Sequence, residues 1–418
     1  MAQLSDDCFA FGGALMPAAE AQGILQAQTH AVTETETVAL SAARGRVLAA
    51  PVVATRDVPP YDNAAVDGYA VLFDDLKPGE ATVLPVAGRA AAGHPLTRPI
   101  RHGETIRVFT GAPMPEGADT VLMQEDCRVE SGNAILPPGI KRGANRRFAG
   151  EDVKRGDTVL SPGRRLRPQE IGLAASLGLT ELTVFRKLRV AVFSTGDEVR
   201  EPGGELPRGA IFDSNRYTLR ALLETLGCAV TDLGILKDDL PAVRNALARA
   251  AESHDLVLTS GGMSTGEEDH VKAAVEALGR LHFWRLAIKP GRPVAMGQLG
   301  RVPFMGLPGN PVAVMVTFLL LARPLILRLS GAEEAPPRLF RVKSGFAYDK
   351  KGSRTEYLRA RLKRGDGGEW IAEKFPRDGA GILTSMVESD GLVEIAEKTS
   401  HVELGGEIDF LPFSEVIA

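Results

Sequence analysis

Between residues 187 and 330 the chain alternates two hydrophobic periods. Apolar runs at 189–194, 230–236 and 255–260 have the length and the β-branched character of strands buried on both faces. Between them, Leu219, Leu222, Leu223 and Leu226 recur at helical spacing, followed by Leu240, Val243, Leu247 and Ala250, and then by Val271, Ala274, Val275 and Leu278. Ser214 is placed to cap the first of these helices, and Gly227 and Gly279 to stop the first and third. Further strands are expected near 281–288, 293–298 and 301–306. They precede a core helix that Asn310 caps, Pro311 opens and a Leu/Val/Phe stripe fills over 312–327. Such alternation predicts an open, mostly parallel sheet between helical layers. Ligands of these sheets bind at the carboxyl ends of strands, in the loops that lead into helices. Here those loops hold residues 195–198, 261–266 and 309–310, so one rim is the expected active site.

The remaining segments have another rhythm. Residues 80–146 are short β-rich runs broken by Pro and Gly. Residues 338–418 read as a small β unit, with alternation in RLFRVKSGFAY and GLVEIAE and a turn at 365–368. Helical patterns at 17–54 and 164–179 are expected to pack together, leaving 57–146 as an insertion. Pro and Gly clusters near 57–63, 137–150, 200–209 and 331–337 mark the seams, and no internal repeat or low-complexity tract occurs.

At 418 residues the chain calls for more than one core. A formal net charge of −4 leaves no electrostatic footprint for nucleic acid or an acidic membrane surface. The longest apolar stretch, 312–322, closes at Arg323 and Pro324, short of the ~20 residues a bilayer span needs. The start of the chain carries acidic residues where a secretory signal carries basic ones, so a cytoplasmic location is expected. Cys8, Cys127 and Cys228 form no CxxC pair, and the histidines are scattered. Any metal is therefore expected to be hard and oxygen-ligated.

Four segments carry the chemistry: STGDE at 194–198, SGGMSTGEED at 260–269, IKPGRP at 288–293 and LPGNPV at 307–312. Glycine lets backbone N–H groups approach an anion closely, and the turn at 260–264 with the Ser264 hydroxyl suits a phosphate at a helix N-terminus. The P-loop lysine is missing, which argues against a nucleoside triphosphatase. Asp197, Glu198, Asp238, Asp239 and Asp269 lie in strand-to-helix loops or first helical turns. Individually each reads as a cap or solvated charge; as a set on one rim, two or three suit Mg²⁺. Lys289 and Arg292 flank a Pro-Gly turn, either as a solvated basic hairpin or as a clamp for a compact tetrahedral dianion. His270 is given no role.

With these segments assembled, the chain resembles the molybdopterin molybdenumtransferases, whose relatives include the E domain of gephyrin. Besides the four segments, the resemblance rests on Pro59-Pro60-Tyr61-Asp62-Asn63 through Asp67-Gly68-Tyr69-Ala70, on RVFTGAP at 107–113 and on RTEYLRARL at 354–362. It implies an α/β multidomain protein with a central three-layer α/β domain, mostly parallel in its sheet, and a β-rich inserted domain. A helical N-terminal linker domain and a C-terminal β-barrel-like domain complete it. The expected boundaries are 1–56 plus 147–186 for the N-terminal domain, 57–146 for the insertion, 187–330 for the α/β domain and 331–418 for the last.

The implied reaction is attack of molybdate on adenylylated molybdopterin with Mg²⁺, giving molybdenum cofactor and AMP. A homodimer is implied, its site shared between subunits. Carried over by motif, Asp67 and Thr110 approach from the partner's inserted domain and act in catalysis with Glu198 and Asp269. Thr195, Gly196, Asp197, Gly261, Gly262, Ser264, Gly309 and Asn310 bind substrate. Lys289, Arg292, Pro293, Arg359 and Ser385 form the molybdate site, and Asp152, Glu198, Asp238 and Asp269 hold metal. Contacts with the adenylyltransferase and with molybdoenzyme acceptors are implied as well, and no nucleic acid or membrane. Departures are Met263, in place of a smaller residue, and Arg285 and Arg292, where lysine is common. Two rivals are the molybdopterin adenylyltransferase, which needs little beyond the α/β module, and a non-catalytic scaffold on the same architecture.

Overall fold

In the computed structural model, which describes residues 15–32, 34–237, 239–261, 270–333 and 335–417, the strand and helix periods build a layered sheet. Its strands are Arg189–Thr195, Ala229–Leu236, Leu256–Ser260, Gly279–Arg285, Pro293–Leu299 and Val302–Leu307. In space they run 229–236, 189–195, 256–260, 302–307, 293–299, 279–285. The first four are parallel, whereas 293–299 is antiparallel to both of its neighbours. Strands 293–299 and 302–307 are joined by a tight turn at Gly300 (φ 58°), too short for the crossover a parallel pair requires.

Strand alternation sorts the core. Val190, Val192, Leu256 and Leu258 pack toward helix Asn215–Thr225 and the long helix Pro311–Leu329. Ala191, Phe193 and Val257 pack toward helices Leu240–Ser253 and His270–Leu278. Leu219, Leu222, Leu223, Val243, Leu247, Ala250, Val271, Ala274 and Val275 are buried as their spacing predicts.

Several details differ from the sequence reading. Ser214 makes no cap bond; Asp213 Oδ1 accepts from the Arg216 N–H instead, at 3.1 Å. Asp239 does cap, accepting from Ala242 N–H at 2.9 Å. Asn310 occupies an N-cap position without a side-chain cap bond. The strand expected over 281–288 is two elements, because Ile288–Lys289 leaves this sheet to pair with another. The third helix stops before Gly279 as expected, but Gly279 itself opens a strand, where a Cβ would stand 1.8 Å from the Gln298 carbonyl oxygen. The long helix continues through Arg323 and Pro324, as the apolar stripe over 312–327 predicts. A π-helical turn, Phe318–Ala322, absorbs the proline and the helix runs on to Leu329. At 19 residues it is long and apolar enough to cross a membrane, but 83% of that window is buried in the core.

The flanking units are mixed. Ala43, Leu48, Val52 and Ala54 pack on Leu166, Ala174 and Leu177 as expected, joined by the strand pair Thr35–Ala39 and Glu181–Phe185. Helix Ala18–Gln28 goes elsewhere: Ala21 and Leu25 cover the long helix, and Gln22 donates to the Leu320 carbonyl at 2.7 Å. Residues 68–136 form a six-stranded sheet ordered 120–123, 68–71, 105–108, 82–90, 133–136, 128–130. The C-terminal unit is a closed five-strand barrel. Thr355–Arg364 pairs with Trp370–Lys374, then come Phe340–Ser344, Glu407–Pro412 and Gly391–Ile395, which returns to Thr355–Arg364. Val342, Leu358, Ala360, Ala372, Val393 and Phe410 fill it.

Candidate active site

Three of the predicted loops meet at the carboxyl ends of the central strands. Gly261 adopts φ 81°, a region only glycine enters without strain, and a Cβ there would lie 3.3 Å from the Thr195 carbonyl oxygen. A Cβ on Gly309 would lie 3.9 Å from Gly261 Cα. Asn215, at the start of helix 215–225, ties these loops together, donating through Nδ2 to Ser260 Oγ at 2.8 Å and to the Gly309 carbonyl at 2.7 Å. Because a carbonyl only accepts, this bond fixes which end of the carboxamide is nitrogen. Ser194 Oγ, Thr195 Oγ1 and Thr259 Oγ1 on these strands, and Asn215 Oδ1 beside them, are buried without a hydrogen-bond partner among the described residues. Buried polar atoms are rarely left so, and a polar ligand at this rim is one group that would supply partners.

Gly196 (φ 135°) starts the exposed turn that carries Asp197 and Glu198, and the Glu198 carboxylate folds back over it: a Cβ on Gly196 would meet Glu198 Oε2 at 2.5 Å. Asn310 is exposed beside Gly309. Gly262, Ser264, Asp238 and Asp269 lie outside the described residues. Among the described residues no group of three or more acidic, His or Cys side chains forms. The donors at the rim are carboxylate and hydroxyl oxygens. They suit a hard cation that takes its remaining ligands from phosphate and water, so Mg²⁺ fits this chemistry.

The cationic loop is held between the α/β layer and the barrel. Ile288–Lys289 pairs in parallel with Thr355–Glu356. Lys289 Nζ reaches both carboxylate oxygens of Glu356 at 3.2 Å, and the Tyr348 hydroxyl donates to Glu356 Oε2 at 2.6 Å. Glu356 is 1% exposed and Lys289 48% exposed, so the ammonium keeps one donor toward solvent. Gly291 (φ 106°) presses this loop onto the long helix, where a Cβ would stand 2.5 Å from Thr317 Cγ2. Arg292 and Pro293 are exposed beside it.

Arg359 and Ser385 are brought together. Arg359 Nε donates to Ser385 Oγ at 2.9 Å, and Nη2 donates to the Gly379 carbonyl at 3.2 Å. The guanidinium is buried with no carboxylate within ion-pair distance among the described residues, and burial lowers its pKa. The segment it holds also docks on the long helix, Val312 N–H donating to the Ala380 carbonyl at 2.9 Å. No hydrogen bond joins Lys289 or Arg292 to Arg359 or Ser385.

In the inserted sheet, Asp67 and Thr110 form a pair across 43 residues of sequence. Asp67 Oδ1 accepts from Thr110 N–H at 2.8 Å and from Thr110 Oγ1 at 2.7 Å. These bonds, the backbone one first, hold the Asp67 carboxyl below the usual carboxylate range, and the Arg107 guanidinium adds to the effect. Asp152 is exposed, its N–H donating to the Val58 carbonyl; no hydrogen bond or ion pair of its side chain to a described residue is present.

Three family models tile the chain. The MoeA N-terminal region (domain I and II) matches residues 16–178, a probable molybdopterin binding domain matches 191–328, and the MoeA C-terminal region (domain IV) matches 341–413. The molybdopterin molybdenumtransferase of Haemophilus influenzae is 38% identical over 388 residues, covering 92% of this chain and 95% of that one. The chain belongs to the molybdopterin molybdenumtransferase family. The molybdopterin molybdenumtransferase of a Nostoc species is 33% identical over 90% of this chain and 88% of its own. The crystal structure of a molybdopterin biosynthesis moeA protein from Pyrococcus horikoshii OT3 superimposes with a TM-score of 0.82 at 31% identity, covering 96% of this chain and all of that one.

For a molybdopterin molybdenumtransferase, two residues at these sites escaped the sequence reading. Asn215 stands beside the Ser214 that seemed the natural cap; DSN after a short strand was its only signal. Glu356 lies inside the RTEYLRARL segment, but nothing in the sequence pairs it with a lysine 67 residues away.

Proposed function

We propose that this molybdopterin molybdenumtransferase takes adenylylated molybdopterin and molybdate to molybdenum cofactor and AMP, with Mg²⁺. The observation that carries the reading is the convergence of Thr195-Gly196, Gly261 and Gly309-Asn310 on one rim, with buried hydroxyls that lack partners among the described residues and a cationic loop held between the α/β layer and the barrel. On this reading Thr195, Gly196, Asp197, Gly261, Gly262, Ser264, Gly309 and Asn310 bind the substrate. Lys289, Arg292, Pro293, Arg359 and Ser385 take molybdate. Two anions resist attack by a third, so fixed cations placed where the charges crowd lower the barrier. Glu198, Asp238, Asp269 and Asp152 are assigned to Mg²⁺, which when bound would offset charge on the phosphate oxygens.

Asp67 and Thr110 act, on this reading, from the inserted domain of a second subunit in a homodimer. No covalent nucleophile from the protein is needed. The division at 1–56 plus 147–186, 57–146, 187–330 and 331–418 belongs to the same proposal, as do a cytoplasmic location and hand-over contacts with the adenylyltransferase and acceptor enzymes. The test is AMP release from adenylylated molybdopterin by the purified chain with Mg²⁺, with and without micromolar molybdate. Molybdate-dependent release that activates a molybdenum-free acceptor enzyme is expected. ATP-driven adenylylation of free molybdopterin would place the chain at the adenylyltransferase step instead, and neither activity would leave a scaffold.

A further inference from the structure

The inserted sheet carries a feature to which no role has been assigned above. Across its strands 82–90, 105–108 and 68–71, four side chains stack in alternation: Arg89, Phe109, Arg107 and Tyr69. The Arg89 guanidinium lies 4.7 Å and the Arg107 guanidinium 4.8 Å from the Phe109 ring centre, and Arg107 is also 5.1 Å from the Tyr69 ring centre. Neither arginine has a carboxylate within ion-pair distance among the described residues. Arg107 spends its N–H groups on the Gly68 carbonyl, at 3.2 Å, and on Gln124. Arg89 makes no hydrogen bond to a described residue, and it is exposed. Phe109 is the neighbour of Thr110, so this free fork opens beside the Asp67–Thr110 pair.

A guanidinium held flat on a ring keeps its N–H edge available, loses little rotamer freedom on binding, and matches phosphate oxygens two at a time. Two cations sharing one ring without a counter-ion repel each other, and a bound anion relieves that repulsion. We propose that the Arg89–Phe109–Arg107 stack is a phosphate-ester site that holds the adenylyl phosphate of the substrate, and AMP after release. The assignment to the adenylyl group rests on the functional reading above; the anion site itself does not.

Titration calorimetry on the full chain with AMP, inorganic phosphate and adenosine tests the site. Removing a charge-assisted contact to phosphate makes binding about tenfold or more weaker, so Arg89→Ala is expected to weaken AMP and phosphate by that factor. Arg89→Lys keeps charge but loses the fork, and is expected to lie between. Phe109→Leu removes the platform and is expected to weaken AMP while Arg89 remains. AMP affinity unchanged in Arg89→Ala, no AMP binding to the wild type at millimolar concentration, or loss of AMP only in Lys289→Ala would each overturn the site. A lowered melting temperature in Arg89→Ala with AMP affinity retained would show a staple instead. If Arg89→Ala weakens free molybdopterin and spares AMP, the phosphate is the pterin's own and the adenylyl assignment is overturned. Molybdate-dependent AMP release by the wild type is scored separately: its absence removes the functional reading and leaves a measured AMP site standing.

Discussion

Replacing Lys289 with alanine separates the work this residue does for the fold from the work proposed for it on molybdate. Glu356 is 1% exposed and accepts from Lys289 Nζ through both oxygens at 3.2 Å, and from Tyr348 at 2.6 Å. Without the ammonium, a buried carboxylate keeps a single hydroxyl donor. Breaking a fully buried pair costs about 3–5 kcal/mol; with the lysine half in water, about 2–3 kcal/mol is the reasonable share for Lys289→Ala. Converting Glu356 to glutamine in the same chain removes the stranded charge and should return all but about 1 kcal/mol. The assay is urea denaturation followed at Trp370, which sits on the barrel strand opposite 360–364. Molybdate-dependent AMP release is measured on the same samples. The expected pattern is that stability falls in Lys289→Ala and recovers in the double variant, while the dependence on molybdate is lost in both. Wild-type stability in Lys289→Ala would refute the buried-pair reasoning, and activity regained along with stability in the double variant would refute Lys289 as an anion ligand.

Thr110→Val removes one of the two donors on Asp67 and keeps the backbone one. Turnover should fall roughly tenfold with the melting temperature little changed, as for a lost charge-assisted hydrogen bond, and an unchanged rate would remove Thr110 from the site. Gly291→Ala meets Thr317 Cγ2 and a φ of 106°; it should destabilise by about 1–3 kcal/mol and raise the KM for molybdate, read from melting and from a molybdate titration. Glu170 is held at about 2, first by the Arg167 side chain, then by Arg164 and the Arg167 N–H. Its depressed value gives stability that is full above the ordinary glutamate range and is lost as pH falls toward 2. Glu170→Gln should therefore cost about 1–2 kcal/mol at neutral pH, screening by water included, and flatten acid unfolding between about pH 5 and pH 2. On the proposed homodimer, mixing subunits defective at Asp67 with subunits defective at Glu198 should recover part of the activity that either variant lacks alone; verified mixed dimers with none would exclude a shared site.

The α/β layer was legible because burial on both faces leaves a strong imprint. Val190 to Phe193 and Leu256 to Leu258 can be read only as strands or as short buried helix, and Gly196 and Gly261 settle their ends. The rim could be read for the same reason, since glycine at a positive φ is demanded by close approach and not by composition. What escaped was decided by tertiary contact. Asp213, Ser214 and Asn215 have similar cap chemistry, and Asp213 takes the role because Arg216 must be neutralised on burial, between Asp213 and Asp232. Helix Ala18–Gln28 looks alike on most sides, so its sequence does not say which surface it covers. The apolar stripe carries the long helix across Pro324, but the π-turn at Phe318–Ala322 inside it is announced by no local signal.

That Lys289 belongs to the barrel sheet bears on which reaction the α/β layer serves. The polypeptide leaves Arg285, spends two residues pairing with Thr355–Glu356, and returns at Pro293 to the sheet it left. The lysine is therefore oriented by a carboxylate and a tyrosine that an isolated α/β module would not possess. Arg359 and Ser385 likewise come from the barrel and from the segment that docks on the long helix at Val312. A site that only moved an adenylyl group could be assembled from the rim loops alone. Cations held jointly by two units suit a further anion gripped there, and this is the physical argument behind the proposal that molybdate, and not ATP, lies against Lys289.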